Sequence, residues 1–522
     1  MRAQLLLSAA VSALGLGLAP IGSMATGIET HHPQNTVREP SGSLILNNDG
    51  QHFTFNYSTS QPHAKNWVGL YHASGGGPEN ESYVSPSLVW KYAPEPAGSV
   101  HLPVDSLQAG DYRAYFLAQD GYKWLADPLP VTLNVPPSSL RFPVEQATLH
   151  NARRLEPYTA YVGGLLLGAN DAEVTFEKTG GDAWIKVESD GLISGTPDSH
   201  APRRSQVDIR ASADNSTSAT LHLNIPVRQA SSRLVDDLNV MTYNLWHGGT
   251  QVNNYHEKQL RFILESGADI IGLQESTSDH AIRLGKALGW YHWQSSQSAG
   301  IISRYPIVEE YGEINRACGV RINLNGEESG RPFDVNFWST HLGYNPYGPY
   351  DFCYDHMSFD QVMEREAQSG RTPQVEELMA GLKSQLNNSE NVPIILVGDF
   401  NAPSHLDWTE ALREKNCGVA GFPWPTSIMP EEHGFIDSFR VAHPDPVKEQ
   451  GTTWSPIFPL HNGDSGAPEP QDRIDFIYHT EAKLNVVDSR WLVVGNPTPS
   501  PGHKDNEWTT DHAAVMTHYR LE

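Results

Sequence analysis

Cysteine is scarce in this sequence: the 522-residue chain contains only Cys318, Cys353 and Cys417, all in its C-terminal half. Three thiols form at most one internal disulfide, so the fold does not depend on a disulfide framework. No CxxC pair is present, which argues against a structural zinc site built on cysteine. The sequence leaves open which two cysteines pair.

Basic residues are few relative to acidic ones. Lysine and arginine total 36 against 61 aspartates and glutamates, which gives a formal net charge of −25. This balance opposes nonspecific binding to phosphate polymers and anionic lipid surfaces. A polyanionic substrate would therefore need bound cations or a local basic patch, and no run rich in lysine or arginine occurs in the C-terminal half.

Long apolar runs are absent beyond the first 25 residues. Residues 5–20 are apolar but contain glycines and are shorter than the roughly 20 residues that span a bilayer. Arg2 precedes this run, and Ser23 and Ala25 are the small residues of a cleavage site. We predict a secretory signal peptide over residues 1–25, with an uncleaved N-terminal anchor as the alternative.

The mature chain is accordingly predicted to be secreted and to lack a transmembrane segment. N-x-S/T sequons agree with a secreted glycoprotein, and they occur at Asn56, Asn80, Asn215 and Asn387.

Two β-rich modules are predicted before residue 230. Residues 26–42 lack periodicity and are predicted to be a flexible tail. Residues 43–135 contain short alternating runs such as HFTFNYS and GDYRAYFLA, which predict an all-β sandwich. Pro-Pro-Ser-Ser at 136–139 predicts a linker, and the runs resume over residues 140–228.

The second of these modules contains WIKVESDGLISGTPDSHAP. This segment resembles a signature of immunoglobulin-like or cadherin-like modules in secreted proteins. The resemblance implies a spacer or adhesion module without chemistry of its own, with surface or carbohydrate contacts as its expected partners.

The hydrophobic pattern changes after Gln229, where apolar runs alternate with stretches of helical periodicity. MTYN, LQE, STHL and GDF end strand-like runs, whereas EKQLRFILES and TPQVEELMAGLKSQL have apolar positions at helical spacing. These patterns predict one α/β domain over residues 236–522. The predicted fold class is therefore multidomain, with two all-β modules before an α/β domain.

Polar residues collect at the ends of the predicted strands of this domain. A single Asp or Asn at a strand end is more often a turn former or a helix cap than a catalyst. The ordered set is more informative than any member. It comprises Asn244, Glu275, His341, Asp399, Asn401, Asp475, Asp511 and His512.

In the order MTYN, LQE, STHL, GDFN, RIDF and TDH, these motifs resemble the endonuclease/exonuclease/phosphatase superfamily. That superfamily includes pancreatic deoxyribonuclease, neutral sphingomyelinases and inositol polyphosphate 5-phosphatases. The resemblance implies a four-layered sandwich, in which helices flank two packed mixed β-sheets. It also implies a site at one edge that cleaves phosphoester bonds with a divalent metal. Thr510 replaces the serine of many members and keeps a hydroxyl.

The metal site implied by the resemblance comprises Asn244, Glu275 and Asp511. Hard oxygen ligands of this kind suit Mg²⁺, which is usually held by one or two carboxylates together with substrate phosphate oxygens. Mg²⁺ is therefore the predicted cofactor, with Mn²⁺ or Ca²⁺ as alternatives.

The remaining residues of the set have the composition of an acid–base site. His512 next to Asp511, with Asp475 as a carboxylate partner, suits an oriented imidazole. The resemblance implies that Asp475 holds His512, that Asp399 and Asn401 position the attacking water and the scissile phosphate, and that His341 contacts a phosphate oxygen. Whether Asp399 or His512 takes the proton stays open.

A segment rich in aromatic residues, 345–360, follows His341 directly. The segment is predicted to be a loop that selects the substrate by contacts of Tyr347 and Tyr350. The alternative is a surface loop whose aromatic side chains pack against one another. Arg371 is a candidate phosphate contact, with an ordinary salt bridge at a helix start as the alternative.

The sequence therefore predicts a secreted Mg²⁺-dependent phosphoesterase that uses metal-assisted in-line attack by water. A phosphodiester is the expected substrate, with a phosphomonoester as the alternative. The substrate classes are phospholipid headgroups, nucleic acids, nucleotides and inositol phosphates. A secreted nuclease acting on DNA or RNA is the narrower alternative. An extracellular adhesion protein with a decayed enzyme domain belongs to another class, which the complete residue set disfavours. Because every candidate residue follows Gln229, a chain that begins near Ser232 is expected to keep its turnover.

Overall fold

A computed structural model describes residues 41–48, 53–73, 75, 77–78, 80–102, 107, 110–133, 140–169, 172–213, 217–326, 333–461 and 466–522. The predicted signal peptide, almost all of the predicted tail, the linker at 136–139 and the sequon at Asn215 lie outside these residues. Of the described residues, 41–48, 53–102 and 111–132 belong to one compact unit, and those from Leu133 to Glu522 belong to a second. Among the described residues, no helix has the length and apolar character needed to cross a membrane.

The first unit consists of two small β-sheets. Along β2, Phe53, Phe55 and Tyr57 are buried while Asn56 is exposed, which is the alternation expected of a strand with one face on a core. The strand orders are β1-β2-β5 and β4-β3-β6-β7. The strands are β1 (Gly42–Asn48), β2 (Phe53–Thr59), β3 (Trp67–His72), β4 (Val89–Tyr92), β5 (Ala97–Leu102), β6 (Gly110–Leu117) and β7 (Leu129–Leu133).

The second β-rich region, at the start of the second unit, also contains two sheets. Their orders are β11-β14-β15-β8, with β9 also pairing with β15, and β10-β13-β12. The β-rich character of both N-terminal regions is as predicted, and the immunoglobulin or cadherin likeness stays a prediction. The strands are β8 (Gln146–Thr148), β9 (Ala152–Arg153), β10 (Tyr158–Tyr161), β11 (Thr175–Gly181), β12 (Ile185–Val187), β13 (Leu192–Gly195), β14 (Arg204–Ser212) and β15 (Ser218–Arg228).

The α/β domain contains two six-stranded sheets. The first sheet consists of β16 (Asp237–Asn244), β17 (Ile270–Gln274), β18 (Tyr291–Gln294), β19 (Ala299–Ser303), β26 (Leu484–Leu492) and β27 (Ala514–Leu521), in the order β18-β19-β17-β16-β27-β26. The second consists of β20 (Ile307–Ile314), β21 (Ala317–Asn323), β22 (Asp334–His341), β23 (Ile394–Asp399), β24 (Phe435–Asp437) and β25 (Asp475–Thr480), in the order β20-β21-β22-β23-β25-β24.

Each of these sheets is mixed. The pairs β16/β17 and β22/β23 are parallel, whereas β16/β27 and β23/β25 are antiparallel. The two sheets share one apolar core, to which the first contributes Val240 and Ile301 and the second contributes Phe337 and Val397. Strands β17 and β23 are buried along their whole length, because both faces of each strand are covered.

Helices cover the outer faces of both sheets. Leu260 and Leu284 join a cluster with Leu273 of the first sheet, and Leu378 joins one with Leu396 of the second. The predicted four-layered sandwich is therefore confirmed. The helices are α1 (Tyr255–Ser266), α2 (His280–Leu288), α3 (Gly348–Cys353), α4 (Phe359–Gln368), α5 (Arg371–Leu386), α6 (Pro425–Glu432) and α7 (Ser438–Ala442).

The second β-rich region and the α/β domain share one continuous apolar cluster. It includes Ile209 and Leu223 of the β sheets together with Leu284 and Leu288 of α2. Polar contacts also cross this junction, since Arg304 donates to the Thr148 carbonyl at 2.5 Å. The two parts therefore pack as neighbours in a single unit, rather than as a spacer and an independent enzyme.

A truncated chain that begins at Leu140 is expected to keep its thermal stability, whereas one that begins at Ser232 should lose it. Each large aliphatic side chain exposed by the second cut costs about 1.5–3 kcal/mol. Several such residues should lower the Tm by roughly 10 °C or more or cause aggregation. Thermal unfolding followed by circular dichroism, with size-exclusion chromatography, measures this difference. Equal melting temperatures for the two truncated chains would show that the α/β domain is stable without the second β-rich region. The retained turnover of a chain that begins near Ser232 stays a prediction.

Candidate active site

Eight polar side chains meet at one end of the two packed sheets because of the strand directions. β16 and β17 are parallel and end there, as do β22 and β23. β25 and β27 run antiparallel to their neighbours and begin there. The residues that this edge presents are those predicted from the strand ends, namely Asn244, Glu275, His341, Asp399, Asn401, Asp475, Asp511 and His512.

Asp399 occupies the centre of this group and is fully buried. Its Oδ1 accepts the backbone N–H of Asn401 at 2.8 Å. Its Oδ2 accepts amide hydrogens from Asn244 at 3.0 Å and from Asn401 at 3.2 Å. Burial raises the pKa of Asp399 above its usual range, while the nearby His512 lowers it and Asp475 raises it again. The result is a carboxylate held in one orientation and more basic than an exposed aspartate.

His512 lies between two carboxylates. Its Nδ1 is 2.9 Å from Asp475 Oδ2, and its Nε2 is 3.8 Å from Asp399 Oδ2. Burial works to lower the pKa of His512, but Asp475 and Asp399 outweigh it and raise the pKa to about 10. The imidazole is therefore a cation at neutral pH. The ring of Trp454 packs edge-on against it, with centroids 5.1 Å apart.

His341 also lies close to Asp399. Its Nδ1 is 2.8 Å from the hydroxyl of Ser298, and its Nε2 is 3.7 Å from Asp399 Oδ2. That Nε2 is buried and has no hydrogen-bond partner among the described residues. Burial is the main reason that the pKa of His341 lies below its ordinary value. A neutral ring held by Ser298 thus turns its other nitrogen toward the site.

Glu275 and Asp511 are the carboxylates that suit a divalent cation. Glu275 Oε2 accepts the backbone N–H of His247 at 2.6 Å. Asp511 is fully buried, and its Oδ2 has no hydrogen-bond partner among the described residues. Burial raises the pKa of Asp511, His512 lowers it, and Glu275 raises it again. An unpaired buried carboxylate oxygen under the influence of a second carboxylate fits a bound cation, because a cation would satisfy both charges.

The side chain of Asn244, the third residue of the predicted metal site, is held by two hydrogen bonds. Its Oδ1 accepts the Trp246 N–H at 3.0 Å, while its amide nitrogen donates to Asp399. A carbonyl oxygen has two lone pairs, so one remains for a cation.

A second buried group offers ligand atoms close together. The atoms of Asp399, Asp475 and His512 lie within 4.8 Å of one another and could hold a metal. However, His512 Nδ1 is already bonded to Asp475, and both oxygens of Asp399 accept hydrogen bonds. Asp475 Oδ1, by contrast, has no hydrogen-bond partner among the described residues, as is also true of Asp511 Oδ2. Both parts of the site could therefore hold a cation.

The predicted substrate loop is anchored rather than free. Tyr347 is 8 % exposed, and its hydroxyl donates to Asp472 at 3.0 Å. Tyr350 donates to Glu469, and both tyrosines pack in one cluster with Trp454. Since Trp454 contacts His512, these aromatic rings lie next to the site, and the substrate-selecting role of the loop stays a prediction.

The structure corrects the prediction that Arg371 contacts a phosphate. Its side chain is fully buried and pairs with the buried Glu366, and it donates to the carbonyls of Gly343 and Pro346 at 3.0 and 2.7 Å. A side chain closed off in this way cannot reach a phosphate. It fixes the segment after His341, so the salt-bridge alternative is the better description.

The cysteine question is also resolved. Cys353 and Cys417 form the disulfide, which joins α3 to a loop 64 residues further along the chain, and Cys318 is a buried free thiol.

Sequence reasoning missed Ser298, Trp454 and His247. The first two contact the rings of His341 and His512, and the third donates its backbone N–H to Glu275. Neither SQSAG nor TTWSP carries a pattern that separates it from an ordinary loop. His247 follows the MTYN motif by three residues, and that proximity is the one signal that could have found it.

Comparison with known proteins gives consistent results for the C-terminal half. A model of the endonuclease/exonuclease/phosphatase family matches residues 241–512. An uncharacterized protein of Caenorhabditis elegans is 33% identical over 295 residues, which cover 54% of this chain and 91% of that protein.

Solved structures of low identity each match about half of this chain. Truncated TDP2 of Caenorhabditis elegans is 15% identical with a TM-score of 0.34, covering 55% of this chain and 98% of that chain. The human Nocturnin catalytic domain is 16% identical with a TM-score of 0.35, covering 56% of this chain and 97% of that chain.

Replacing Arg371 by methionine should destabilise the second unit by about 3–5 kcal/mol, because Glu366 would be left as an unpaired buried charge. The double variant Arg371→Met/Glu366→Leu should recover part of this loss. Urea unfolding followed by tryptophan fluorescence measures both. Arg413→Met, which breaks a surface pair with Glu410, is the control and should change little. A single variant as stable as the native chain would contradict the structural role of Arg371.

Proposed function

Because the chain belongs to the endonuclease/exonuclease/phosphatase family, we propose that it is a secreted hydrolase of phosphoester bonds that works with a divalent cation. Phosphodiesters are the proposed substrates in the first place. The cation would be held by Glu275 and Asp511 with the Asn244 carbonyl, and Mg²⁺ suits these oxygen ligands.

The unpaired Oδ2 of Asp511 is the observation that carries this proposal. Among the described residues, four carboxyl groups lie buried at the site, those of Glu275, Asp399, Asp475 and Asp511, beside the buried imidazolium of His512, so acidic groups are in excess. A phosphoester is itself an anion and would be repelled by this excess. A bound divalent cation offsets the excess, neutralises phosphoryl oxygens and lowers the pKa of water.

The protein's own groups supply the proton transfers. His512 is already protonated, so it is proposed to stabilise the phosphoryl oxygens rather than to accept a proton. Asp399, with its raised pKa, is proposed to take the proton from the attacking water. Asp475 keeps His512 charged and oriented. His341 Nε2, which has no partner among the described residues, is proposed to contact the phosphate.

Two features support secretion. The Cys353–Cys417 disulfide is of a kind that persists in oxidising compartments. The sequons at Asn56, Asn80 and Asn387 have exposed asparagines, as an attached glycan requires.

The decayed-enzyme alternative is disfavoured by the geometry. A site under no constraint would be expected to lose a charged member or its orientation, whereas the hydrogen bonds of Asp399, Asp475 and His512 form one connected network.

The purified chain should hydrolyse bis-p-nitrophenyl phosphate in the presence of Mg²⁺ and lose this activity in a chelator. Parallel assays on DNA, sphingomyelin and inositol phosphates with the same enzyme assign the substrate class. Equal rates with Mg²⁺ and with chelator would refute the metal dependence. The absence of turnover on every phosphoester would refute the proposal that the chain is a phosphoesterase.

Glu275→Gln and His512→Ala should separate metal binding from chemistry. Removing the Glu275 charge should raise the Mg²⁺ concentration needed for half-maximal rate. Removing the His512 ring should lower turnover by about 10²- to 10⁴-fold with nearly unchanged metal affinity. Calorimetry and rates on one phosphodiester measure these effects. Glu376→Gln, on the exposed side of α5, is the matched control.

The role assignment fails if His512→Ala abolishes metal binding, or if Glu275→Gln behaves like the Glu376→Gln control.

A further inference from the structure

We propose that Arg316 binds a second phosphate group of the substrate, so that the site favours phosphoesters with two or more phosphates over those with one. This inference rests on the proposed function and deepens it, because it narrows the substrate class. The motifs found in the sequence do not include Arg316.

The position of Arg316 follows from the strand directions of the second sheet. β22 ends at His341, at the edge that carries the site, and β21 runs antiparallel to it. β21 therefore begins at that edge with Ala317, and Arg316 is the residue directly before it. The His341 backbone N–H donates to the Arg316 carbonyl at 3.2 Å, which extends the pairing of Ala317 with Thr340 by one residue.

This register puts the side chains of Arg316 and His341 on the same face of the sheet. Opposite residues of an antiparallel pair have Cβ atoms about 4.5–5.5 Å apart. The Nε2 of His341, which lacks a hydrogen-bond partner among the described residues, lies 3.7 Å from Asp399 Oδ2. The side chain of Arg316 therefore starts beside the ring that is proposed to contact the scissile phosphate.

Electrostatics agree with this placement. Burial lowers the pKa of His341 most, and the positive charges of His512 and Arg316 lower it further. A charge acts in this way only from nearby, because water screens exposed charges over longer distances.

The hairpin tip that carries Arg316 is fixed to the domain. Ile314 pairs with Ala317, so Asn315 and Arg316 form the two-residue turn between β20 and β21. Asn315 has a φ of 50°, a left-handed conformation that asparagine tolerates better than most residues. Its side-chain amide donates to Glu377 of α5 at 2.7 Å. The turn is thus anchored through Asn315, whereas Arg316 stays exposed.

The guanidinium of Arg316 is available to a ligand. No carboxylate of the described residues forms an ion pair with it. Its Nη1 makes one long hydrogen bond, to Gln297 Oε1 at 3.4 Å. Gln297 precedes Ser298, whose hydroxyl is 2.8 Å from His341 Nδ1, so this contact lies next to the site. The remaining N–H groups can meet the oxygens of an anion in the bidentate arrangement that arginine forms with phosphate.

A second phosphate is the ligand that these features fit. The net charge of −25 repels a substrate with several phosphates, and an exposed arginine at the site offsets that repulsion locally. Nucleotides and inositol phosphates both share this chemistry. A simple phosphodiester such as the sphingomyelin headgroup has one phosphate and would leave Arg316 unused.

The test compares substrates that differ by one phosphate. The dinucleotides TpT and pTpT form one pair, and inositol monophosphate and inositol bisphosphate form the other, so the two arms distinguish a nucleotide from an inositol source. The full chain is assayed as native protein, Arg316→Gln and Arg316→Lys. Arg204→Gln is the matched control, because Arg204 is also an exposed arginine at a strand end and forms no ion pair among the described residues. Circular dichroism checks the folding of each variant.

The native chain should have a higher kcat/KM on the two-phosphate member of at least one pair. Arg316→Gln should lower that value by about 10- to 100-fold, mainly through KM, with a clearly smaller loss on the one-phosphate member. Arg316→Lys keeps the charge without the planar fork and should recover part of the loss, and Arg204→Gln should behave like the native chain. Equal losses on both members of each pair in Arg316→Gln, or a native chain that turns over both members of each pair equally well, would overturn the proposal.

Binding separates this inference from the proposed function. Calorimetry compares thymidine bisphosphate with thymidine monophosphate, and inositol bisphosphate with inositol monophosphate, on each protein without any need for turnover. If no phosphoester is hydrolysed, but the native chain binds a bisphosphate more tightly than its monophosphate and Arg316→Gln loses this difference, only the proposed function is refuted. If no phosphoester is hydrolysed and neither bisphosphate binds more tightly, the inference is refuted as well.

Discussion

Four carboxylates held out of water at one end of two packed sheets are the constraint on which the site depends. Each buried charge costs several kcal/mol unless it is paired or hydrogen-bonded. The chain compensates Asp399 with two asparagine amides and Asp475 with the His512 imidazolium. Glu275 receives one backbone N–H, and Asp511 keeps one oxygen without a partner among the described residues. Asp475 Oδ1 likewise has no hydrogen-bond partner among the described residues. The compensation of the buried carboxylates is therefore incomplete both beside His512 and beside Glu275, and the proposed cation would offset the remainder.

The sequence predicted the α/β fold and the membership of the site because both follow from local patterns. Strands buried on both faces appear as apolar runs, and β17 and β23 are of this kind. Once such strands are identified, the polar residue at the end of each is visible without knowledge of the fold. The convergence of those ends then needs only the parallel pairing of β16 with β17 and of β22 with β23, together with strands that return beside them.

What the sequence did not predict depends on contacts between distant segments. The Cys353–Cys417 pairing spans 64 residues, and no spacing rule selects it over the two other pairs. Arg371 is chemically suited to bind a phosphate. The sequence does not show that Glu366 and two backbone carbonyls enclose the side chain once the chain has folded. Ser298 lies in a short polar loop, and its effect on the His341 ring exists only when β19 and β22 are brought together in neighbouring sheets. In each case the sequence shows which residue is present, whereas tertiary packing determines what that residue does.

The second β-rich region is connected to Glu275 through helix α1. Arg141 pairs with Glu257 of α1 at 2.7 Å, and the Pro143 carbonyl accepts from Arg261 of the same helix at 3.0 Å. Between these two residues on α1, Gln259 donates to the Gly248 carbonyl. Gly248 follows His247, whose backbone N–H donates to the Glu275 carboxylate. A short chain of contacts therefore leads from the β-rich region through one helix to the Glu275 carboxylate. A module that acted only as a spacer would not require these contacts, so the region is better regarded as part of the scaffold that positions Glu275.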